Sequence, residues 1–223
     1  MSKANKSNKA IKYRLYPNDE QKVMFAKTFG CCRFVYNQLL ALQKQRYKDG
    51  ESHLSKLKSN EFATRTLKKD YDFLKEIDKF AVSNAVFHLA DAYDRFFKKQ
   101  NHFPKFKSKR KSKKSYTTNF TNNNILIGKN VIKLPKVGMV KAVIHRLPKD
   151  DWKLKSVTVS QDSVGNYFAS VLFEYEQEDI PSVSKSSTNA IGLDYKSDGL
   201  YMDSNGNKAG VHKYYRESHK KLA

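Results

Sequence analysis

The first hydrophobic pattern in the chain is an alternation of apolar and cationic residues over positions 10–16. This period of two is typical of a half-buried strand, and Pro17 ends it because proline cannot continue a sheet ladder. Asn18 is followed three positions later by Gln21, a spacing that predicts a capping box and therefore the start of a helix. We predict an N-terminal strand followed directly by a helical region.

The period then becomes helical and remains so for about eighty residues. The first helix is predicted to break near Gly30 and to resume over residues 31–48, stopping at the Asp49-Gly50 turn. A second helical region is predicted over residues 54–69. The clearest stripe follows at spacings of three and four, formed by Ile77, Ala81, Ala85, Leu89, Ala92 and Phe96.

After residue 114 the period returns to two and predicts strands at 115–120, 125–127, 131–134, 139–144, 153–160 and 167–175. The last two are predicted to form a hairpin across Gly165-Asn166. The first strand has no local partner, and an isolated edge would be costly. We therefore expect it to lie in the later sheet, with the helices as an insertion. A linker over 177–189 and a short hairpin unit from residue 190 complete an α+β chain.

Composition changes this picture through charge. The 223 residues carry 43 Lys and Arg against 22 Asp and Glu, a net charge of +21. Residues 95–149 contain 16 cations and no acid, so this stretch supplies most of the excess. Its densest part, residues 103–116, alternates Lys or Arg with Ser and is flanked by aromatic residues. Cations pair with phosphates and aromatic rings stack on bases, so the pattern indicates nucleic acid.

A solvated basic loop or a localisation tag would explain the lysines alone equally well. The absence of acid continues through the predicted strands, however, and a folded surface of one sign normally has a polyanionic partner. An anionic membrane is a weaker interpretation, because no amphipathic helix carries this charge. With no apolar run of about 20 residues and no signal peptide, we expect a cytoplasmic protein without a membrane partner.

Candidate catalytic groups are few. Cys31 and Cys32 are adjacent, and adjacent thiols neither bridge readily nor form a tetrahedral metal site unaided. The six histidines show no metal-ligand spacing. Asp194 ends a short apolar strand, the position from which RNase H-like nucleases hold a divalent metal. Such a run ending in Asp is also common in ordinary turns.

Seven ordered motifs give the sequence a family resemblance. They are Arg14-Leu-Tyr-Pro-Asn18, Gly30-Cys-Cys-Arg-Phe-Val-Tyr-Asn37, Ile77-Asp-Lys-Phe-Ala81, Phe103-Pro-Lys-Phe-Lys107, Thr121-Asn-Asn-Asn124, Lys133-Leu-Pro-Lys136 and Ile191-Gly-Leu-Asp194. In this order, from about residue 10 to the end, the chain resembles the N-terminal part of TnpB (OrfB) proteins. These are transposon-encoded RNA-guided DNA endonucleases, also described as transposases of insertion sequences.

The resemblance implies a wedge-type β-barrel with an inserted helical recognition domain, followed by the first hairpin of an incomplete RuvC/RNase H-like domain. The implied domains are 1–17, the first barrel strand; 18–102, the helical insertion; 103–176, the basic loop and remaining barrel; 177–189, a linker; and 190–223, the start of the nuclease domain. The implied partners are a guide RNA from the transposon end and double-stranded target DNA.

By position, the resemblance assigns a short target-adjacent DNA motif to Lys79, Phe80, Ser83, Asn84, Thr121 and Asn122. Amides and hydroxyls can contact base edges, and a lysine can hold phosphate. Core packing is the alternative for Phe80, and Asn84 needs a partner if it is buried. Guide RNA or duplex phosphate is assigned to Lys105, Lys107, Lys109, Arg110, Lys111, Lys113 and Lys114.

Asp194 matches the first RuvC carboxylate, which would bind metal only within a complete nuclease domain. The family uses Mg²⁺, a further Glu, a four-cysteine zinc ribbon and a final Asp, none of which follows here. Tyr195-Lys196-Ser197-Asp198 also departs from the family pattern. We expect a truncated nuclease domain, no stably bound metal and no cleavage by this chain alone. The alternatives are a nuclease-dead RNA-guided repressor derived from TnpB, and a basic structural protein of ribosome or nucleoid.

Overall fold

The computed structural model describes residues 6–176, 191–195, 199–211 and 213–222. The chain divides into two compact units, Met1–Glu178 and Asp179–Ala223. The first unit combines an antiparallel sheet of seven strands with a layer of helices. Among the described residues, no helix is long and apolar enough to cross a membrane.

The first helix, α1 (Asp19–Lys48), is continuous. The predicted capping box is confirmed, because the side chain of Asn18 accepts from the backbone of Gln21 and the side chain of Gln21 accepts from the backbone of Asn18. The predicted break at Gly30 is wrong. An interior glycine costs only about 1 kcal/mol relative to alanine. The turns on both sides bury the same face through Phe25 and Val35, and this packing outweighs the cost.

The second helical region is confirmed but irregular. It consists of α2 (Lys56–Glu61), a π-helical turn (Phe62–Leu67) and α3 (Lys68–Asp70). A 3₁₀ turn, Asp72–Lys75, leads to the long helix α4 (Lys79–Phe97), which packs against α1. Four members of the predicted apolar stripe are buried: Ala81, Ala85 and Leu89 on α4, and Ile77 just before the helix, whereas Ala92 and Phe96 are half-buried.

The large sheet contains β1 (Lys6–Tyr16), β2 (Lys114–Asn119), β3 (Leu126–Ile127), β4 (Val131–Leu134), β5 (Gly138–Val143), β6 (Lys153–Gln161) and β7 (Tyr167–Glu176). Their order is β2-β6-β7-β1-β5-β4-β3. The predicted place of the first strand is confirmed: β1 lies between β7 and β5, with Ala10 opposite Leu172 and Arg14 opposite Val143. The predicted hairpin of β6 and β7 is also present.

This sheet is open and strongly curled. Its hydrogen-bonded order ends at β2 and β3, so among the described residues no ladder closes the predicted barrel. Only residues 120–125 connect these two edges. Six strand spacings of about 4.8 Å would separate the edges of a flat sheet by roughly 29 Å, beyond the roughly 25 Å that seven extended residues reach. The connection is also folded, because Asn124 Nδ2 donates to the Asn119 carbonyl over 3.0 Å. Curling therefore brings the two edges together without pairing them.

The core lies between α1 and the concave face of the sheet. The fully buried ring of Phe25 lies 5.4 Å from Tyr167 and 6.3 Å from Tyr116, measured between centroids. Phe29 contacts Tyr116 at 5.9 Å. Because only two residues separate the end of β1 from the start of α1, this cluster fixes the direction in which the helices leave the sheet.

The second unit contains β8 (Leu193–Tyr195), β9 (Tyr201–Asp203), β10 (Lys208–Ala209) and α5 (Tyr214–Leu222). A turn at Asn205-Gly206 joins β9 to β10. It repeats the turn between β6 and β7, since the segments beginning at Asp162 and Asp203 both read Asp-Ser-x-Gly-Asn. In both, the aspartate accepts from three N–H groups, two on the asparagine, and the glycine has a positive φ. Sequence chemistry therefore fixes both turns locally.

Candidate nucleic-acid interface

A groove of about 480 Å³ lies where the start of α4 meets the β2–β3 connection and the β4–β5 turn. Four of the six residues assigned to DNA line it together, two from each side: Lys79 and Phe80 from α4, and Thr121 and Asn122 from the connection. These pairs are about forty residues apart in the sequence. The fold therefore converges them on one concave surface.

Lys79 and Phe80 form the helical wall of the groove. Lys79 is exposed, and its ammonium lies 5.1 Å from the centroid of the Phe80 ring. Phe80 is half-buried, so one part of its ring packs on the protein while another faces the groove. Both interpretations of Phe80, core packing and contact with a ligand, agree with this position.

The opposite wall is a tight turn at residues 121–124. Asn122 and Asn123 have φ values of 46° and 56°, and the Asn124 N–H donates to the Thr121 carbonyl over 3.0 Å. Two consecutive positive φ angles are the mark of a type I′ turn, which asparagine tolerates better than most residues. The Asn124 side chain braces the turn by accepting from the Thr121 N–H over 2.9 Å. The exposed amide of Asn122 is thereby held at the tip of a rigid turn.

Ser83 and Asn84 lie further along α4 and do not line the groove. Asn84 Nδ2 donates to the Thr117 carbonyl over 2.9 Å and to Asn119 Oδ1 over 3.2 Å. This amide therefore has the partners that its burial requires, and they join α4 to β2 just before the tight turn. The observed contacts give Asn84 a positioning role, and its direct contact with DNA stays a prediction.

The groove also contains three cations that sequence analysis did not assign, Lys68, Lys75 and Lys136. Burial lowers the pKa of Lys68, and the nearby Asp78 carboxylate opposes this effect. Lys136 has a φ of 64° and follows Pro135 in a turn closed by the Val137 N–H and the Leu134 carbonyl. Lys136 lies between two strands that the sequence predicts, but the sequence does not indicate that it lines the same groove as Lys79.

Replacing Lys136 with glycine is expected to increase stability and to weaken DNA binding. A non-glycine residue in the left-handed region lowers the free energy of unfolding by roughly 1–2 kcal/mol. Glycine removes this strain, but its greater freedom in the unfolded state offsets part of the gain. We expect Lys136→Gly to raise the free energy of unfolding by about 0.5–1 kcal/mol and to weaken DNA binding several-fold, measured by denaturation and by titration with duplex. Lys136→Asn, which also tolerates this φ, is the matched variant. A loss of stability in both would contradict the strain argument.

The second candidate surface is the basic loop, residues 98–113, together with the start of β2. Six of its seven assigned cations are exposed: Lys105, Lys109, Arg110, Lys111, Lys113 and Lys114. The loop is internally ordered, since Ser108 Oγ accepts from the Lys111 N–H and the Ser108 N–H donates to Ser112 Oγ. Lys114 Nζ donates to Gln161 Oε1 over 3.1 Å, whereas the side chains of the other five form no hydrogen bond or ion pair with a described residue.

The seventh cation, Lys107, has a different environment. Its ammonium lies 4.0 Å from the centroid of the Tyr36 ring, and burial lowers its pKa. Asn37 binds the backbone of Lys107 twice: Oδ1 accepts from its N–H and Nδ2 donates to its carbonyl, each over 2.9 Å. Lys107 and Asn37 therefore anchor the loop to α1, and the assignment of Lys107 to phosphate stays a prediction.

Charge pairing separates this region from the rest of the molecule. The ion pairs in the described ranges involve cations before residue 95 or after residue 149, such as Lys27 with Glu76 and Lys155 with Glu174. None of the 16 cations between Arg95 and Lys149 forms an ion pair with a described acid. Their positive charge is therefore available to an external polyanion.

Asp194 lies on β8 in the second unit, is exposed, and is opposite Met202 on β9. Across the described parts of the chain, no group of three His, Cys, Asp or Glu residues could hold a metal ion. One solvated carboxylate does not fit the Mg²⁺ site of the family, because that ion needs several oxygen ligands in octahedral geometry.

Comparison with known proteins shows which protein family this chain is related to. A family model described as a helix-turn-helix domain (HTH_OrfB_IS605) matches residues 7–52. A protein of Streptomyces pristinaespiralis named "Putative RNA-guided DNA endonuclease" is 30% identical over 217 residues, 96% of this chain and 52% of that relative. The chain belongs to the TnpB (OrfB) family. The Escherichia coli (strain K12) protein "Putative RNA-guided DNA endonuclease InsQ" is 29% identical over 221 residues, again 96% of this chain and 52% of that relative.

This TnpB-family chain thus spans about half the length of the curated relatives it matches. A shorter relative, "Virulence protein VsdF" of Salmonella dublin, is 32% identical over 111 residues, which cover 45% of this chain and 93% of VsdF. The segment matched by the helix-turn-helix description contains β1 and the single helix α1. In this chain, therefore, the matched residues do not form a pair of helices that could enter a DNA groove as that motif does.

Proposed function

We propose that this chain is the nucleic-acid-binding part of an RNA-guided DNA endonuclease of an insertion sequence, and that it binds a guide RNA and a short target-adjacent DNA motif. The observation that carries the proposal is the convergence of Lys79, Phe80, Thr121 and Asn122 on one groove, in a chain whose basic loop holds exposed cations without described ion pairs. Two relatives that match 96% of the chain bear the name RNA-guided DNA endonuclease.

In this proposal, the groove reads the DNA. The Asn122 amide, fixed at the tip of its turn, offers both a donor and an acceptor to a base edge, and Thr121 adds a hydroxyl. Lys79 and Lys136, which line the same groove from α4 and from the β4–β5 turn, hold the two flanking phosphates. Sequence choice thus comes from the turn, and affinity comes from the lysines.

The basic loop binds the RNA backbone. Its exposed cations carry no base specificity, which suits an RNA whose sequence varies with its target. The curled sheet serves as the wedge domain between RNA and DNA, and β8 and β9 are the first strands of a RuvC-like domain. We propose no cleavage step and no Mg²⁺ site, because no group of three His, Cys, Asp or Glu residues in the described parts of the chain could hold a metal ion. Binding of a guide RNA and of target DNA implies a cytoplasmic location.

The test begins with RNA capture. The chain is expressed together with the DNA that flanks its gene, purified at low salt, and its bound RNA is sequenced. We expect one RNA species from the flanking DNA, released steeply as salt rises. The complex is then used to select duplexes whose target-adjacent positions are randomised. Lys79→Ala should weaken binding uniformly, whereas Asn122→Ala should relax one position by about 1–3 kcal/mol.

Lys58→Ala, at an exposed lysine of α2, is the matched control and should change neither property. Purification free of RNA, or retention of RNA that salt does not affect, would refute RNA binding. If wild type and Asn122→Ala selected the same DNA motif, the groove would not be the site that recognises DNA. This outcome would not affect the proposal that the chain binds RNA.

A further inference from the structure

A second concave surface lies at the C-terminal ends of α1 and α4, outside the groove and the assigned cations. It is a cavity of about 680 Å³ lined mainly by aromatic residues. Its aromatic lining residues are Tyr47, Tyr93, Phe96, Phe97 and Phe103. Of these, Phe103 belongs to one of the seven ordered motifs, and Phe96 is the last member of the predicted apolar stripe.

The rings form one connected cluster. Tyr93 is buried at its base, with Phe97 stacked on it at 6.1 Å and the edge of Phe103 at 5.6 Å. His53 contacts Tyr93 at 4.6 Å between ring centroids, and burial lowers the pKa of this imidazole, which favours its neutral form. The cavity floor is therefore an uncharged aromatic surface.

The outer rings remain accessible to solvent. Phe97 is 62% exposed, Phe103 is 41% exposed, and Tyr47 is 85% exposed at the rim. Among the described residues, no ring packs on Tyr47. Contiguous exposed aromatic surface is uncommon on a soluble protein and marks sites of interaction.

The rim of the cavity is cationic. The Lys44 ammonium lies 5.5 Å from the Phe103 centroid and 4.8 Å from the Phe106 centroid, so it is held above two rings that border the basic loop. Lys48 lines the same rim. The one acid of the lining, Glu51, is paired with Arg46. Its charge is therefore compensated, and the net potential favours an anionic ligand.

We propose that this aromatic cavity binds an unpaired base of single-stranded RNA, with Phe97 and Tyr47 as stacking surfaces and with Lys44 and Lys48 on the adjoining phosphates. Flat rings beside cations are the combination that single-stranded nucleic acids require. A duplex keeps its bases inside the stack, whereas RNA loops and ends present them. The proposal rests on the RNA binding proposed above, whose loop adjoins the cavity through Phe103.

The test uses an unstructured, uridine-rich RNA of about 12 nucleotides, within the usual range of single-strand sites, that carries one 2-aminopurine. Stacking on an aromatic ring quenches the fluorescence of this base. Wild type should quench it, and the double variant Phe97→Leu with Phe103→Leu should lose the quenching and bind at least about fivefold more weakly. The salt dependence of binding should be unchanged, because no cation is removed.

Tyr71→Leu with Phe73→Leu is the matched control, since it removes two partly exposed rings of the same unit outside the cavity. Lys44→Gln should reduce the slope of log affinity against log salt by about 0.7. Equal quenching by wild type and the Phe97/Phe103 variant, or equal competition by a duplex RNA, would overturn the cavity proposal alone. If wild type bound RNA without salt dependence, both proposals would fail.

Discussion

Replacing the five free cations of the basic loop with glutamine, Lys105, Lys109, Arg110, Lys111 and Lys113, is expected to lower RNA affinity by two to three orders of magnitude. Each phosphate contact with single-stranded nucleic acid contributes about 0.7 to the slope of log affinity against log salt. Five contacts therefore reduce the slope by about 3.5, which corresponds to nearly a thousandfold at about 0.15 M salt. Filter binding over a range of salt concentrations measures both quantities.

The stability of this variant should hardly change. None of the five side chains forms an ion pair with a described acid, and all are exposed. Surface substitutions of this kind usually stay within about 0.5 kcal/mol. The anchor of the loop, Asn37 with the Lys107 backbone, is retained. A loss of affinity can thus be assigned to the removed charges.

The matched control removes the same charge elsewhere, at Lys22, Lys27, Lys58, Arg65 and Lys69. Both variants lower the net charge from +21 to +16, five fewer positive charges in each case. Three of the control residues are engaged by acids on the surface, Lys22, Lys27 and Arg65, and such pairs are worth little. Equal losses of affinity in the two variants would show that overall charge, and not the loop, holds RNA.

The sequence predicted the sheet well because each strand carried local information. A period of two, bounded by Gly, Pro or Asn, located β4 at its observed residues and most other strands to within one or two positions. The place of β1 followed from a different argument, since a strand without a local partner must find a distant one. Its long pairing with β7 agrees with that requirement.

The errors came from properties that depend on the assembled fold. Gly30 was predicted to interrupt a helix because the local penalty was visible, while the packing of α1 on α4 and the sheet was not. Barrel closure could not be derived from strand positions, because the pairing of two edges depends on how far the sheet curls. The observed curl leaves β2 and β3 unpaired with each other.

The residue types of the candidate site could be predicted from the sequence, but the partners of each side chain could not. Whether a polar side chain faces solvent or an internal partner depends on residues far away in the chain. Asn84 binds Thr117, 33 positions later, and Asn37 binds Lys107, 70 positions later. Lys68 and Lys75 reach the groove only because irregular helical turns place them there. Such contacts follow from the fold and leave no short-range pattern.

Both proposed interfaces depend on the junction of α1 with the sheet, and Phe25→Ala should show how strongly. Phe25 is fully buried among Phe29, Tyr116 and Tyr167, with centroid distances of 6.4, 6.3 and 5.4 Å. Truncation of a buried phenylalanine to alanine costs about 3–5 kcal/mol, the lost transfer energy plus the cavity. Whole domains are stable by only about 5–15 kcal/mol, so we expect a large shift in denaturant midpoint.

The single tryptophan of the chain gives a local signal for this unfolding. Trp152 lies 5.7 Å from Phe173 and 5.3 Å from Tyr175, so its fluorescence reports on the sheet of the first unit. Phe25→Leu, which keeps most of the volume, should cost much less than Phe25→Ala. Phe73→Ala, at a ring that is 41% exposed, is the surface control. If Phe25→Ala lowered the free energy of unfolding by less than about 1 kcal/mol, neighbouring side chains would have filled the space left by the ring. The groove and the loop, which α1 and β2 hold in place, would then owe their geometry to other contacts.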